Sequence, residues 1–530
     1  MTYKLAVDFG TTNSVVACWN TEREAAEIVA IPAIGTPAAP DRPSLAPSLI
    51  YVHDAARGVV TIGQRVRDQK LDYQKDNRLF RNFKRGIVAS PAPDARFIDG
   101  LAYTDRDAGR HFLTALLDTL PYPKSEIEQL VLTAPVASFE GYLVWLNSVF
   151  GAMPEEKIRI VDESTAAALG YAVTVPGAVV LVFDFGGGTL DLSLVQLPES
   201  REKTGGLLSR LLRRGAGQHY ARVIAKAGRV IGGSDIDQWI VAEVLKRTGV
   251  SIKDLGVNYT TLVTNCELAK IALSSQETAE IRFESAGGTA YAVTLTRPEL
   301  EAMLEDNGFS NAVRRIVDKV MHIAHQRGVF KEDVKTVLLV GGTSLMPAVQ
   351  NILKGYFTGM TVRADKPFTA VAEGALQVAA GFGLDDYLAH SYGLRHLDNG
   401  LHRYDEIVPM GSRYPTPKPI EIVLGAAHED QQAVEFVVGE IDSDAASMLE
   451  VRYEDGQAVF VAQAGEEEQK IVALNEEAPP LASLLPPGVA VEDRLKALFS
   501  VDDRRQLRLT VVDLHTQQEL LHNVVVTTLR

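Results

Sequence analysis

Cysteine is nearly absent from this sequence of 530 residues, which contains only Cys18 and Cys266. Two cysteines so far apart form neither a disulfide framework nor a metal-ligand pair, and such sparse use is typical of a reducing compartment. A secretory signal is also missing from the start, where the acidic Asp8 precedes any apolar run. The sequence therefore predicts a cytoplasmic protein.

An excess of positive charge is missing as well, because 53 Lys and Arg oppose 68 Asp and Glu, for a formal net charge of −15. Proteins that bind nucleic acids usually need a basic surface, so we expect no nucleic-acid partner. Residues 164–183 carry no charge over 20 positions, which is a membrane-spanning length. Because Pro176 and Gly177 interrupt that run, it predicts a helix, a turn and a buried strand, and we expect no membrane partner.

Apolar residues are plentiful, at 46% of the sequence, and charged residues make up 23%. This composition is typical of globular proteins, and the length suggests about three or four domains. Short runs rich in Val, Ile and Leu predict buried strands at residues 4–8, 129–133, 178–183 and 336–340. Amphipathic patterns between them predict helices at residues 108–120, 139–150, 164–172, 235–248, 262–274, 297–326 and 370–381. The first part of the chain is therefore expected to have an α/β fold.

The long helical patterns end near His390, and the character of the sequence changes there. Alternating apolar and polar runs predict strands at residues 420–424, 433–438, 458–462, 507–514 and 524–528. The proline-rich residues 477–488 predict a loop or linker inside this region. The second part of the chain is therefore predicted to be an all-β domain.

A short internal repeat is the most informative feature of the sequence. The segment VDFGTT at residues 7–12 returns as FDFGGGT at residues 183–189. Glycine in a turn between strands lets backbone N–H groups approach a phosphate closely, and threonine adds hydroxyl donors. Asp8 and Asp184 precede the two loops and would supply oxygen ligands for Mg²⁺ or for its waters. One such loop is often only a hairpin turn, but two matched loops predict a phosphate site with Mg²⁺.

Two further glycine pairs lie before helical patterns. The segment VGGTS at residues 340–344 follows an apolar strand, and the segment IGGSD at residues 231–235 precedes another helix. Each is either a plain turn into a helix or a place where backbone approaches a base or ribose closely. Ser234 or Asp235 is a suitable cap for the second helix.

Six segments together resemble the nucleotide-binding domain of the seventy-kilodalton heat-shock chaperones: LAVDFGTTNSVVA, VDESTAAALGYA, LVFDFGGGTLDLSLV, VIGGSDID, CELAKIALS and VLLVGGTSLMPAVQ. They occur in the family's order over about residues 1–383. The resemblance implies a two-lobed ATPase domain of the actin–hexokinase superfold, α/β in class, which closes around ATP or ADP. The implied reaction is magnesium-dependent transfer of a phosphoryl group from ATP to water, achieved by positioning and charge stabilisation.

The resemblance also implies roles for individual residues. Lys84 would position the attacking water and the γ-phosphate, and Glu163 would lie near the water and the metal. With these two, the implied catalytic residues include Asp184 and Thr189, and the implied metal residues are Asp8, Asp184 and Asp191. The implied nucleotide-binding residues are Asp8, Gly10, Thr11, Thr12, Asn13, Gly186, Gly187, Gly188, Thr189, Gly232, Gly233, Glu267, Lys270, Ser274, Gly341, Gly342 and Thr343.

The sequence departs from the family's pattern around the adenine base. The family sandwiches the base between two arginines, where this sequence has Ile271 and Leu345. Stacking of the base on a guanidinium group is therefore lost, and apolar packing is expected in its place.

Two more departures lie near Glu163 and in the route to the second domain. The usual proline after Glu163 is Ser164. Pro135 matches the family's proline switch, but the usual partner arginine is missing, since residues 136–156 contain no Arg or Lys. The route by which the nucleotide acts on the second domain is therefore expected to be weakened or rebuilt.

Residues 391–530 resemble the family's β-sandwich substrate domain more distantly, beginning with the segment SYGLR at Ser391. Residues 384–390 would be the linker between the domains. No segment resembles the helical lid that covers bound peptide in the family. The resemblance implies a peptide or an unfolded client protein as partner, and it allows for a co-chaperone or nucleotide-exchange partner.

Three functions remain open at this point. The first is an ATP-hydrolysing chaperone, which the intact phosphate loops with Lys84 and Glu163 favour. The second is a nucleotide-sensing protein that binds a partner with little or no hydrolysis, which the missing arginines and lid favour. The third is a small-molecule kinase of the same superfold, which would need an acceptor pocket with a catalytic base.

Two basic stretches also allow alternative interpretations. Lys84 lies beside Arg81 and Arg85, and a solvated basic cluster is the alternative to a catalytic lysine. Residues 201–229 carry eight basic residues and one acidic residue, so they predict either a flexible solvated loop or a docking loop for an acidic partner.

Overall fold

A computed structural model describes residues 2–529 except 40–42, 75, 90, 137–138, 152, 155–156, 172–176, 198–219, 381–382, 389, 399–400, 410–411, 443–448, 455–456, 463–469, 491 and 503. The chain divides into two compact units, Met1–Gly383 and Leu384–Arg530. The first unit is of the α/β class and the second is built of strands.

The first sheet of the Met1–Gly383 unit is built around the strand Tyr3–Phe9. This strand runs parallel to Ile127–Ala134 on one side and antiparallel to Asn13–Asn20 on the other. Its consecutive residues 5–7 are all buried, as expected for a strand that is covered on both faces. The sheet is completed by the strands Ala25–Ile28, Ala46–Pro47 and Ile158–Asp162.

The second sheet repeats this arrangement around the strand Val179–Phe185. That strand runs parallel to Val334–Val340 and antiparallel to Leu190–Gln196. Within the first unit, the outer strands of this sheet are Tyr220–Arg229 and Thr361–Arg363.

The two central hairpins correspond to the two copies of the short internal repeat in the sequence. In the first, residues 10–12 connect the strands and Asp8 pairs with Val15. In the second, residues 186–189 connect the strands and Asp184 pairs with Asp191. The prediction that both glycine loops are turns between strands is confirmed, and each hairpin lies beside one parallel strand.

Helices occur at all the places predicted in the first unit. Thr104 caps one of them, since its hydroxyl accepts from the backbone N–H of Asp107 and the Asp107 carboxylate accepts from Thr104 in return. The helices of eight or more residues are Asp105–Thr119, Phe139–Phe150, Glu163–Tyr171, Gly233–Thr248, Tyr259–Leu273, Arg297–Asp306, Phe309–Gln326, Pro347–Tyr356 and Ala370–Ala379.

One predicted helix is wrong in its extent. Residues 297–326 form two helices rather than one, because the helical conformation is interrupted at Gly308. Gly308 has φ of +67°, a left-handed conformation that glycine adopts without steric cost and that ends a right-handed helix.

Short elements complete the first unit. The remaining strands are Leu49–Asp54, Val59–Ile62, Leu79–Arg81, Arg96–Ile98, Leu101–Tyr103, Thr278–Glu284 and Ala290–Thr296. The short helices and 3₁₀ turns are Gln64–Asp68, Leu71–Tyr73, Phe83–Ile87, Lys124–Glu126, Ile252–Leu255, Gly256–Asn258, Lys331–Asp333 and Gly342–Leu345.

The Leu384–Arg530 unit contains two four-stranded antiparallel sheets that share one hydrophobic core, with side chains such as Tyr392, Phe436 and Phe499 inside it. One sheet has the strands Leu401–Val408, Ser391–Asp398, Val438–Asp442 and Lys470–Ala473, in that order. The other has Ile420–Gly425, Asp493–Val501, Gln506–Asp513 and Glu519–Thr528. The smaller strands are Gly383–Tyr387, Arg413–Tyr414, Gln431–Glu435, Leu449–Glu454, Gln457–Ala462 and Leu481–Gly488.

Two predictions in this unit are wrong. The single strand expected at residues 433–438 is the end of one strand and the start of another, since the chain changes sheets at Phe436 and Val437. The loop expected at residues 477–488 contains the strand Leu481–Gly488, which pairs with Gln431–Glu435. Its pairing register shifts along the ladder, and such an irregularity tolerates the two prolines that a regular ladder would exclude.

The uncharged residues 164–183 contain most of the helix Glu163–Tyr171 and most of the strand Val179–Phe185, with residues 172–176 outside the described part. Among the helices that the structure describes, none combines the length and the apolar character needed to cross a membrane. Most of the basic stretch, residues 201–219, also lies outside the described residues.

Candidate functional site

A cleft of about 290 Å³ in the Met1–Gly383 unit is lined by both hairpin loops and by the glycine turn that begins at Gly341. Most of the sequence-predicted site residues line it together. They are Asp8, Gly10, Thr11, Thr12, Asn13, Lys84, Glu163, Asp184, Gly186, Gly187, Gly188, Thr189, Glu267, Lys270, Ser274, Gly341, Gly342 and Thr343.

Three predicted residues do not line the cleft but lie against residues that do. Asp191 is fully buried and pairs with Asp184 across the second hairpin. Gly233 donates its N–H to the carbonyl of Gly186, 3.0 Å away. A Cβ on Gly232 would lie 2.4 Å from the carbonyl oxygen of Gly187, so this glycine permits close contact between two backbones.

Where the two hairpin loops meet, glycines of the second loop lie against threonines of the first loop. A Cβ on Gly187 would lie 2.2 Å from Thr12 Oγ1, and one on Gly188 would lie 2.4 Å from Thr11 Oγ1. No larger residue fits at these two positions without displacing a hydroxyl of the other loop. The result is a surface of backbone N–H groups and hydroxyls, which is the donor set that binds phosphate oxygens.

Three carboxyl groups concentrate negative charge beside these loops. Burial, and after it the negative charge of Glu163, raises the pKa of Asp8 to about 7. Burial also raises the pKa of Asp184 well above its usual value, and the carboxylates around it add to the effect. Ionised carboxylates held this close repel one another, so the site favours a bound cation.

Lys84 lies within this acidic group and forms an ion pair with Glu163, 2.6 Å between Nζ and Oε1. The side chains of the two residues are only 3% and 10% exposed. The alternative of a solvated basic cluster is therefore wrong for Lys84. Glu163 begins the helix Glu163–Tyr171, where a negative charge is also favoured by the helix dipole.

Further ion pairs join residues far apart in the sequence, and sequence reasoning missed them. Arg81 Nη2 lies 2.5 Å from Glu267 Oε2, and Arg81 Nη1 donates to Thr264 Oγ1 at 2.7 Å. Lys270 Nζ lies 2.8 Å from Asp237 Oδ1, and burial raises the pKa of Asp237 to about 6. No local pattern indicates such pairs, because the partners come from separate elements.

Arg85 makes a similar long-range contact, with Nη1 3.0 Å from both carboxylate oxygens of Asp235. Asp235 also accepts from the N–H of Gly232 at 2.7 Å. The basic residues of the segment 81–85 are therefore each paired with an acid on a different helix.

Another part of the lining is apolar. Ile271 and Leu345, the residues at the two arginine positions, both line the cleft, and so does Phe368. A Cβ on Gly342 would lie 3.2 Å from the ring of Phe368. Gly341 has φ of +77°, and a Cβ there would lie 2.4 Å from the carbonyl oxygen of Phe185. This part of the cleft can pack against a flat apolar group.

In the described residues, no group of three or more His, Cys, Asp or Glu side chains is arranged to hold a metal ion unaided. Mg²⁺ is usually held in proteins by one or two carboxylates together with waters and substrate phosphates. The crowded carboxylates and the adjacent phosphate-type loops fit such a shared ion. Both cysteines, Cys18 and Cys266, are free thiols.

The fold and the cleft define an α/β protein with two matched acid–glycine loops, followed by a β-stranded unit. The family model described as Hsp70 protein matches residues 155–399. Similar curated proteins include the chaperone protein DnaK of Thermosipho melanesiensis, 28% identical over 461 residues, which cover 82% of this chain and 70% of the relative. The chaperone protein DnaK of Thermosipho africanus is also 28% identical over 461 residues, which cover 82% of this chain and 69% of the relative.

The match to the family model and the similarity to the two DnaK chaperones support membership of this chain in the Hsp70 family, as a divergent member. The resemblance inferred from the six sequence segments is thereby confirmed.

Proposed function

We propose that this protein binds ATP with Mg²⁺ in the cleft of the Met1–Gly383 unit and hydrolyses it to ADP and phosphate. In this proposal, residues 1–383 are a two-lobed ATPase domain of the actin-like superfold. Residues 384–390 are the linker, and residues 391–530 are a β-sandwich that binds peptide or a client protein. The meeting of the two matched loops beside the buried Lys84–Glu163 pair is the observation that supports it most.

Each loop has a defined part in this proposal. The N–H groups and hydroxyls at Thr11, Thr12 and residues 186–189 bind the β- and γ-phosphates. Asp8 and Asp184 would hold Mg²⁺ directly or through waters, and the carboxylate of Asp191, which pairs with Asp184 across the hairpin, would add to the negative charge around the ion. Mg²⁺-ATP, when bound, supplies the phosphoryl group and neutralises the charge of the phosphates.

Lys84 and Glu163 act on the reacting end. Lys84 presents an ammonium group, fixed by the Glu163 carboxylate, to the γ-phosphate and the attacking water. Because both side chains are buried, their charges act with little screening by solvent. The attacking water is held in line with the γ-phosphate, and the protein forms no covalent intermediate, which is typical of phosphoryl transfer to water.

The base and ribose are held at the other lining residues. Glu267, Lys270 and Ser274 bind the ribose and the edges of the base. Ile271 and Leu345 pack against the faces of the base. The family relatives carry the name chaperone, and we extend that role to this chain. The β unit then binds extended peptide, and the nucleotide state sets its affinity.

The test uses the purified full-length protein. Calorimetric titration with ATP and ADP, with and without Mg²⁺, measures binding, and steady-state phosphate release measures turnover with and without an unfolded peptide. We expect Mg²⁺-dependent binding, slow turnover, and a peptide affinity that differs between the ATP and ADP states. Absence of Mg²⁺-dependent nucleotide binding contradicts the proposal as a whole.

A second candidate is a nucleotide-sensing protein that binds a partner with little or no hydrolysis. The observation that favours it is the apolar lining at Ile271, Leu345 and Phe368, which changes how the base is held without touching the phosphate loops. Tight nucleotide binding with no phosphate release, but with an altered partner affinity, supports this second candidate over the first.

A further inference from the structure

Tyr142 makes two contacts with the proposed catalytic lysine. It lies on the helix Phe139–Phe150 and is only 2% exposed. Its hydroxyl donates a hydrogen bond to the backbone carbonyl oxygen of Lys84. Its ring centroid lies 5.4 Å from Lys84 Nζ, within the range of a cation–π contact. One side chain therefore holds both the backbone and the ammonium group of Lys84.

Two other rings hold Tyr142 and Lys84 in this arrangement. The ring of Phe9 lies 5.4 Å from Lys84 Nζ, as far away as the ring of Tyr142. Trp145 meets Tyr142 edge-on, with centroids 6.3 Å apart, and stacks with Phe9 at 6.0 Å. Because these rings are buried and interlocked, Tyr142 has little freedom to move away from Lys84.

The chemical environment keeps the Tyr142 hydroxyl a donor. Burial, and after it the negative charge of Glu163, raises the pKa of Tyr142 well above its usual value. The hydroxyl therefore stays protonated at neutral pH. The contact with Lys84 also comes from a helix that contributes no basic side chain, since residues 136–156 contain neither Arg nor Lys.

We propose that Tyr142 is a positioning residue for Lys84, which sets the ammonium group against Glu163 and towards the reacting phosphate. The inference rests on the proposed function, because it assigns Tyr142 a role in the step that Lys84 assists.

The test compares Tyr142→Phe with Tyr103→Phe in the full-length protein. Tyr142→Phe keeps the ring and removes the hydroxyl that binds Lys84. Tyr103 is also a buried tyrosine of the same unit, but its hydroxyl pairs with the ring of His111 rather than with Lys84. Tyr103→Phe therefore reports the general effect of losing a buried hydroxyl.

Two readouts are measured on each variant. The first is steady-state phosphate release, resolved into kcat and KM. The second uses nucleotide-free protein and follows the rate at which an amine-reactive reagent labels Lys84, quantified by peptide mass spectrometry. The second readout needs no turnover, because a buried lysine is labelled only when its surroundings open.

We expect Tyr142→Phe to lower kcat about tenfold while KM stays within about twofold, because a misplaced catalytic group affects the transition state more than binding. We expect Lys84 to be labelled at least about threefold faster in this variant, and both readouts to be unchanged in Tyr103→Phe.

The outcomes separate this inference from the proposed function. If the wild-type protein shows no turnover at all and Lys84 is still labelled faster in Tyr142→Phe, the contact is supported and the hydrolytic function is overturned. Labelling and kcat equal to wild type overturn the positioning role. An equal loss in Tyr103→Phe, or a loss of kcat without faster labelling, also overturns it, because a merely structural tyrosine gives that result.

Discussion

Lys84 and Glu163 form a buried ion pair across 79 positions of sequence, with Nζ 2.6 Å from Oε1. The pair joins the short helix Phe83–Ile87 to the start of the helix Glu163–Tyr171. Neither charge has solvent to stabilise it, so each depends on the other. The pair therefore couples the position of the lysine, and with it the proposed chemistry, to the stability of the cleft.

We expect Lys84→Ala to lower the turnover number far more than nucleotide affinity, because the lysine acts mainly on the transition state. We also expect a loss of about 3 kcal/mol in the free energy of unfolding, because Glu163 is left buried without its partner. Phosphate release, nucleotide titration and urea unfolding measure the three quantities.

The double variant Lys84→Met with Glu163→Gln is the matched control for this prediction. It removes both charges at similar volume, so it should recover much of the stability while turnover stays low. A loss of nucleotide affinity with an unchanged turnover number in Lys84→Ala would show that the lysine contributes only to binding.

We expect Asp184→Asn to weaken Mg²⁺-dependent nucleotide binding at least about tenfold and to lower turnover, since a charge beside the metal is lost. The same change should raise the melting temperature of the metal-free protein, because burial and neighbouring carboxylates already disfavour the ionised Asp184. Nucleotide titration with and without Mg²⁺ and thermal unfolding in chelator measure the two effects.

Asp72→Asn is the control for this trade-off. Asp72 is also buried, and burial raises its pKa, but it does not line the cleft. It should leave Mg²⁺-dependent binding unchanged. Unchanged Mg²⁺ dependence in Asp184→Asn contradicts the proposed metal site.

Local sequence pattern predicted the parts of the molecule that depend on neighbouring residues. The two acid–glycine loops were predictable, because a turn between strands needs glycine and the loops recur as a pair. The helix end at Gly308 does have a local signal, since an Asn-Gly pair inside an amphipathic pattern is a common helix end. The strand Leu481–Gly488 is not predictable from local pattern, because prolines are unusual inside a regular strand.

The contacts that shape the cleft were not predictable in the same way. Arg81 meets Glu267 over 186 positions, and Tyr142 meets Lys84 over 58. Such contacts depend on how the elements pack, and a single sequence contains no local trace of them. Phe368 was likewise missed, because it follows a proline in a segment with no apolar period of its own.

We expect the metal-free protein to lose stability as the pH rises from about 4 to about 7, in part because of Asp8. The pKa of Asp8 is raised to about 7 in the folded chain, whereas an aspartate in an unfolded chain titrates near 4. Between these values the folded protein binds more protons than the unfolded one, so the free energy of unfolding falls as pH rises. Asp8 is partly open to the cleft, and solvent screening limits its share to about 1–2 kcal/mol.

Urea unfolding between pH 4 and pH 8 in the presence of a chelator measures this dependence. Asp8→Asn should flatten the slope, and Mg²⁺ with nucleotide should restore stability to the wild type at pH 8. The same slope in wild type and Asp8→Asn contradicts the prediction that Asp8 titrates in this range.

The last prediction concerns the apolar part of the cleft and the helix Tyr259–Leu273. This helix exposes two aliphatic side chains, Ile271 at 57% and Leu268 at 51%, but only Ile271 lines the cleft. If the base packs against Ile271, then Ile271→Ala removes about 1 kcal/mol of apolar contact and weakens ATP binding about fivefold. Leu268→Ala, a comparable truncation on the same helix, should leave ATP binding unchanged. Because the contact is apolar, the loss should be the same at low and high salt, whereas a contact with a guanidinium group would weaken as salt rises. Titration of each variant with ATP at two salt concentrations measures both effects, and equal affinities for wild type and Ile271→Ala would show that the base is held elsewhere.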